Sequence, residues 1–138
     1  MQARTIIPRV FLVILVLLTS ACAGLATTGQ KYTAEGDFAA PSMMDKTAAI
    51  ELAAEVFRQQ EVVETGRSPS SGFISGITYR GYSINRISFL MMVDIDIPAP
   101  GSLHVKATST AGPEVAFTTD LDDIAEDFVR AYGKALGR

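Results

Sequence analysis

From residue 87 to residue 97, apolar and mixed positions alternate strictly, which is typical of a β-strand with one buried face. The odd positions are Ile87, Phe89, Met91, Val93, Ile95 and Ile97. The even positions are Ser88, Leu90, Met92, Asp94 and Asp96. Alternating segments at 73–79 and 103–110 predict two more strands, and 61–65 predicts a short fourth strand. Turn residues at 66–72 and 98–102 separate these segments, so we expect an antiparallel sheet.

Two other segments repeat apolar residues every three or four positions, which predicts amphipathic helices. The first helix is expected from about Ser42 to Gln60, because Ser42 and Asp45 have the spacing of a capping box. The second is expected from Thr119 or Asp120 to the end of the chain, with acidic residues in its first turn. Gly133 interrupts this second helix and indicates either a close helix–sheet contact or a fraying end.

The order helix, strands, helix predicts an α+β fold with a three- to four-stranded antiparallel sheet. Both helices are expected to pack on the apolar face of the sheet, which leaves the other face wet. The length is sufficient for one such domain, which we place at residues 42–138.

The first residues have a different pattern, with Arg4 and Arg9 before the apolar run Val10–Leu18. This run is about half as long as a membrane-spanning helix requires, and suits a signal peptide. The following segment, Leu18-Thr19-Ser20-Ala21-Cys22, resembles the lipobox of bacterial lipoproteins. That resemblance implies cleavage before Cys22 and a diacylglycerol on its sulfur. Residues 1–21 are then the cleaved signal, and residues 22–41, rich in small residues, are predicted to be a lipidated flexible tether.

The resemblance also implies a location, since Ala23 is not the aspartate that usually retains a lipoprotein at the inner membrane. The outer membrane, facing the periplasm, is favoured, and the outer leaflet of the inner membrane is an alternative. Two further alternatives stay open. Cleavage at Ala21-Cys22-Ala23 would release a soluble secreted domain beginning at Gly24, and an uncleaved segment would be a plain membrane anchor.

The composition of the chain argues against several classes of partner and site. The net charge of −3 argues against a nucleic-acid partner, which requires a basic surface. Cys22 is the only cysteine and His104 the only histidine, so we expect no metal site and no cofactor. Asp94 and Asp96 are expected to keep the wet face soluble. Because nucleophile, phosphate-binding and dinucleotide-binding motifs are missing, we expect no catalytic residues and no enzyme activity.

A cluster near the predicted hairpin is the candidate interaction surface. It consists of Tyr79, Arg80, Tyr82 and Arg86, residue types that dominate protein interfaces. Leu90 and Met92 share a strand face with Asp94 and would extend this surface. Two alternatives are open at this stage: either another element covers these side chains, or they meet a partner.

The stretch Gly72–Tyr82, after an alanine-rich helix, resembles the first hairpin of small α-β-β-β-α periplasmic lipoproteins. That resemblance carries no site residues. We therefore expect a lipid-anchored accessory or interaction protein of the cell envelope, joined to the membrane through Cys22 and to a protein partner. The alternative is a module that binds a small ligand or an envelope polymer in a cleft between helices and sheet, lined by Phe57, Phe89 and Phe128.

Overall fold

The computed structural model describes residues 30–80, 87–111 and 120–137 and shows an α+β fold. The strands are β1 (Lys31–Ala39), β2 (Val63–Ser68), β3 (Phe73–Arg80), β4 (Ile87–Ala99) and β5 (Ser102–Ala111). The helices are α1 (Lys46–Gln59) and α2 (Asp120–Leu136), and a short 3-10 turn occupies Pro69–Ser71. The five strands form one antiparallel sheet in the order β1-β5-β4-β3-β2. The predicted fold class is confirmed, with more strands than expected.

The extra strand is β1, and it corrects the predicted tether of residues 22–41. Residues 31–39 pair with β5 along their whole length, from Lys31 opposite Thr110 to Ala39 opposite Ser102. Phe38 anchors this strand, since its ring packs 6.2 Å from the ring of Tyr132. The tether prediction is therefore wrong for residues 31–39. Residues 1–29, including the predicted signal and Cys22, lie outside the described part of the chain.

Helix α1 begins later than its capping pattern predicted. Asp45, not Ser42, is the N-cap, and its Oδ1 accepts a hydrogen bond from the backbone N–H of Ala48 at 2.8 Å. The residues before it form a turn in which the backbone N–H of Met44 donates to the carbonyl of Pro41 at 2.9 Å. Both candidate caps are polar residues of the preferred types, and the turn after Pro41 selects the second.

The predicted turn at residues 66–72 is also too long. Strand β2 continues to Ser68, with a register shift between Glu64 and Gly66, and Gly72 closes the turn in the left-handed region at φ 73°. Arg67 holds this strand against α1 by donating a hydrogen bond to Glu51 at 2.6 Å, and it also donates to Glu64 on the same strand at 2.6 Å. The Arg67 guanidinium lowers the pKa of the Glu64 carboxyl by this hydrogen bond. The stability that this shift contributes is therefore present at neutral pH and is lost as the pH falls through the carboxyl's folded-state pKa.

Both helices pack on the same face of the sheet, as predicted. Helix α1 lies over β2, β3 and β4, and α2 lies over β1 and β5. The odd residues 89–95 of β4 point into this layer and are buried, and so are the odd residues of β5. The rings of Phe57 and Phe128 meet edge-on at 5.4 Å and join the two helices above the sheet. One continuous core therefore fills the space between helices and sheet.

Tyr132 is the largest fully buried side chain of this core. Its hydroxyl donates to the backbone carbonyl of Ala49 at 2.9 Å, which ties α2 to α1, and burial raises its pKa. At the next residue, a Cβ added at Gly133 would lie 2.6 Å from Cε1 of Phe38. Gly133 is thus a close helix–sheet contact rather than the sign of a fraying end.

The N-cap assignment gives a direct test. Asp45→Ala should lower the free energy of unfolding by about 1 kcal/mol, because it removes the acceptor for a helix N–H. Ser42→Ala, three residues earlier and exposed, should change it by less than about 0.5 kcal/mol. Urea denaturation followed by circular dichroism measures both. A larger loss for Ser42→Ala than for Asp45→Ala would contradict the assignment.

Candidate functional site

The face of the sheet that points away from the helices carries a group of apolar side chains at one end. We call this group the outer apolar patch and define it as Val63, Ile77, Tyr79, Leu90 and Met92. The register places Val63 beside Ile77 and Ile77 beside Leu90, so the patch crosses three strands. Val63 is 63% exposed, Tyr79 51% and Leu90 39%.

The strand periodicity explains how the patch arises. Successive side chains of a strand point to opposite faces, so the burial of Phe89 and Met91 under the helices forces Leu90 and Met92 outward. No element of the described chain packs over Leu90. Of the two alternatives left open by the sequence, the described residues favour the uncovered surface.

A shallow depression of about 260 Å³ lies beside this surface, where β4 begins and β5 ends. It is lined by Ile77, Ser88, Phe89, Leu90, Thr110 and Ala111. The hydroxyl of Thr110 on its wall is buried and has no hydrogen-bond partner among the residues that the structure describes. An occupant that covers the depression and offers one polar group would satisfy this hydroxyl.

The opposite end of the same face is charged. Lys106 lies between Glu35 and Asp94 in the strand register, with its Nζ 3.9 Å from a Glu35 carboxylate oxygen. His104 lies between Asp37 and Asp96, and its Nδ1 is 2.8 Å from Asp37 Oδ1.

Asp96 also lies 3.6 Å from the ammonium of Lys46. Within the described ranges, no three His, Cys, Asp or Glu side chains converge as a metal site. These charged side chains pair with one another across the strands. They lie at the opposite end of the outer face from the outer apolar patch.

The structure places two of the predicted interaction residues. Tyr79 is part of the outer apolar patch, and Arg80 follows it, exposed, at the end of β3. Tyr82, Arg86 and the lipid-attachment candidate Cys22 lie outside the described residues. Sequence reasoning missed Val63 and Ile77. Ile77 shares its strand parity with Tyr79, which was the available signal, whereas the position of Val63 depends on the pairing of β2 with β3.

The cleft expected between helices and sheet is not formed by the residues proposed for it. Phe57, Phe89 and Phe128 are buried and belong to one packed cluster. Their rings fill the space that a ligand would need, because apolar side chains in a core pack at crystal-like density. These buried side chains do not support a ligand cleft lined by them, and the ligand-binding alternative stays a prediction.

Comparisons with known proteins add no functional name. No protein-family model matches the chain, and no curated protein matches it. The chain is similar to a Thermobifida fusca protein whose solution NMR structure was determined by the Northeast Structural Genomics Consortium. The alignment covers 77% of this chain and 84% of that chain. The identity is 10% and the TM-score 0.35, a similarity too low to support an argument on fold or function. Among the described residues, no helix is long and apolar enough to cross a membrane.

Two adjacent residues of β4 test whether the outer face is uncovered. Met91→Ala should lower the free energy of unfolding by about 2–5 kcal/mol, because the side chain is fully buried. Leu90→Ala should lower the free energy of unfolding by less than about 1 kcal/mol, since water already reaches the leucine side chain. Denaturant unfolding of the two variants gives both values. Equal, large losses would show that another part of the chain covers the face.

Proposed function

We propose that this protein is a lipid-anchored accessory protein of the bacterial cell envelope, which binds another protein through the outer apolar patch and catalyses no reaction. The observation that carries the proposal is the exposed patch itself. Monomeric proteins seldom leave contiguous apolar side chains in water on a flat sheet, and such patches mark interaction sites. Tyr79 supplies an aromatic contact within the patch.

The shape of the surface favours a protein over a small molecule. Small-molecule sites are concave and enclose most of the ligand, whereas the depression beside Leu90 is shallow and open to one side. A partner with an apolar surface of its own would cover Val63, Ile77 and Leu90 together. It would also bring backbone groups within reach of the Thr110 hydroxyl.

The membrane part of the proposal rests on the sequence around Cys22. One acyl chain gives only marginal membrane binding, and a diacylglyceryl group supplies two chains. Since β1 begins at Lys31, the chain between Cys22 and the sheet spans at most about 30 Å. The partner surface would then stay close to the bilayer. We propose the periplasmic side of the outer membrane, from Ala23 after the cysteine, with the outer leaflet of the inner membrane as the alternative.

Photo-crosslinking in the native host tests the proposal. A photoreactive residue at Leu90 should give one discrete protein adduct, and the same residue at Arg58, exposed on the helix layer, should give none. In the same samples, intact mass should show removal of residues 1–21 and a diacylglyceryl group on Cys22. Cys22→Ser should abolish detergent-phase partitioning, because the thioether-linked lipid cannot form.

Three results would contradict parts of the proposal. The proposed partner surface would be contradicted if Leu90 gives no adduct, or if Leu90 and Arg58 give equal adducts. An unmodified chain beginning at Gly24 would remove the anchor and favour a soluble secreted domain.

A further inference from the structure

The two edges of the sheet differ in how well they are protected from pairing with another strand. The β2 edge is short, and its register shifts between Glu64 and Gly66, as is common at edges that avoid association. The β1 edge has nine residues, an unbroken register with β5 and no proline. Its inward-facing side chains are Tyr32, Ala34, Gly36 and Phe38, so it also has no inward charge.

The hydrogen bonds that flank β1 show which of its backbone groups point outward. Ala111 donates to the carbonyl of Gln30 at 3.0 Å, and Ala40 donates to the carbonyl of Gly101 at 2.9 Å. Bonded and non-bonded pairs alternate in an antiparallel ladder, so the even residues of β1 face β5. The backbone N–H and C=O groups of the odd residues, from Lys31 to Ala39, therefore face the free edge.

We propose that a second copy of this chain pairs antiparallel with the free edge of β1, which joins two sheets into one ten-stranded sheet around a twofold axis. No strand within the described part of the chain occupies this edge. Pairing of identical edges in this way is closed and self-complementary, so it ends at a dimer rather than growing into a fibre.

Charge and the number of paired residues together select the register. With Ala34 on the axis, each Lys31 lies opposite Asp37 of the other copy, and Thr33 lies opposite Glu35. Opposite charges facing each other across strands are stabilising, and the twofold axis makes this pair twice. A register centred on Glu35 would place that carboxylate against itself, and one centred on Gly36 would oppose Glu35 and Asp37. A register centred on Thr33 would pair only residues 31–35, whereas the register centred on Ala34 pairs residues 31–37.

The direction of helix α2 is consistent with this arrangement. Tyr32 Oη donates to Glu126 at 2.6 Å, and Gly36 lies against Val129, so α2 runs in the same direction as β1. The twofold axis therefore sets the two α2 helices antiparallel beside each other. The acidic first half of one helix, with Asp122, then lies near the basic second half of the other, with Lys134. This arrangement adds to the charge complementarity of the strands.

Thr33 provides a matched pair of variants, since its backbone N–H points to the free edge. Thr33→Pro removes that donor and places a ring on the edge without breaking the β1–β5 ladder. Thr33→Ala keeps the donor, and both variants lose the same side-chain contact with the Thr108 hydroxyl at 3.3 Å. Sedimentation equilibrium of the full-length protein in a density-matched, non-denaturing detergent should give a dimer for wild type and Thr33→Ala, and a monomer for Thr33→Pro.

Reversal of charge tests the register and also covers the possibility that Thr33→Pro fails to fold. Lys31→Asp and Asp37→Lys should each weaken dimerisation about tenfold, because symmetry changes two pairs at once. The double variant should restore it. The proposal would be overturned if wild type is a monomer or if the dimer survives Thr33→Pro. It would also be overturned if the double variant dimerises no more tightly than the single variants, or if the edge binds a strand of a different protein instead. The outer apolar patch is unchanged in all five variants, so failure here leaves the proposed partner surface untouched.

Discussion

The burial of one face of β4 beneath the helix layer is the constraint on which the rest of the structure depends. Met91 and Phe89 have no contact with water, and the rings of Phe57 and Phe128 close the layer above them. Because strand side chains alternate, this burial determines which residues lie on the outer face. A shift of one residue in the register would exchange the core and the outer apolar patch.

Local patterns in the sequence were sufficient to predict β3, β4, β5 and α2, because the apolar periodicity of these elements extends over many residues. Strand β1 was missed because Ala34 and Gly36 occupy two of its inward positions, and its stability comes from pairing with a strand far along the chain. The start of α1 depended on a turn that favours Asp45 over Ser42. The uncovered outer face was not predictable, since coverage depends on the spatial order of the elements. Tyr82, Arg86 and Cys22 remain predictions.

The two proposed surfaces use different parts of the same sheet, one its outer face and the other its β1 edge. A twofold axis that joins antiparallel edge strands is perpendicular to the sheet, so the outer apolar patches of both copies would face the same side. Under both proposals the ten-stranded sheet presents a doubled apolar surface on one side.

The most direct measurement of the central claim is the rate of methionine oxidation by hydrogen peroxide, followed by peptide mass spectrometry. Three methionines of the chain act as internal probes. Met43 is 93% exposed, Met91 is 0% exposed, and Met92 lies half-buried on the outer face. We expect Met43 to oxidise first, Met92 next, and Met91 only as the protein unfolds. Oxidation of Met92 as slow as that of its neighbour Met91 would contradict an uncovered outer face.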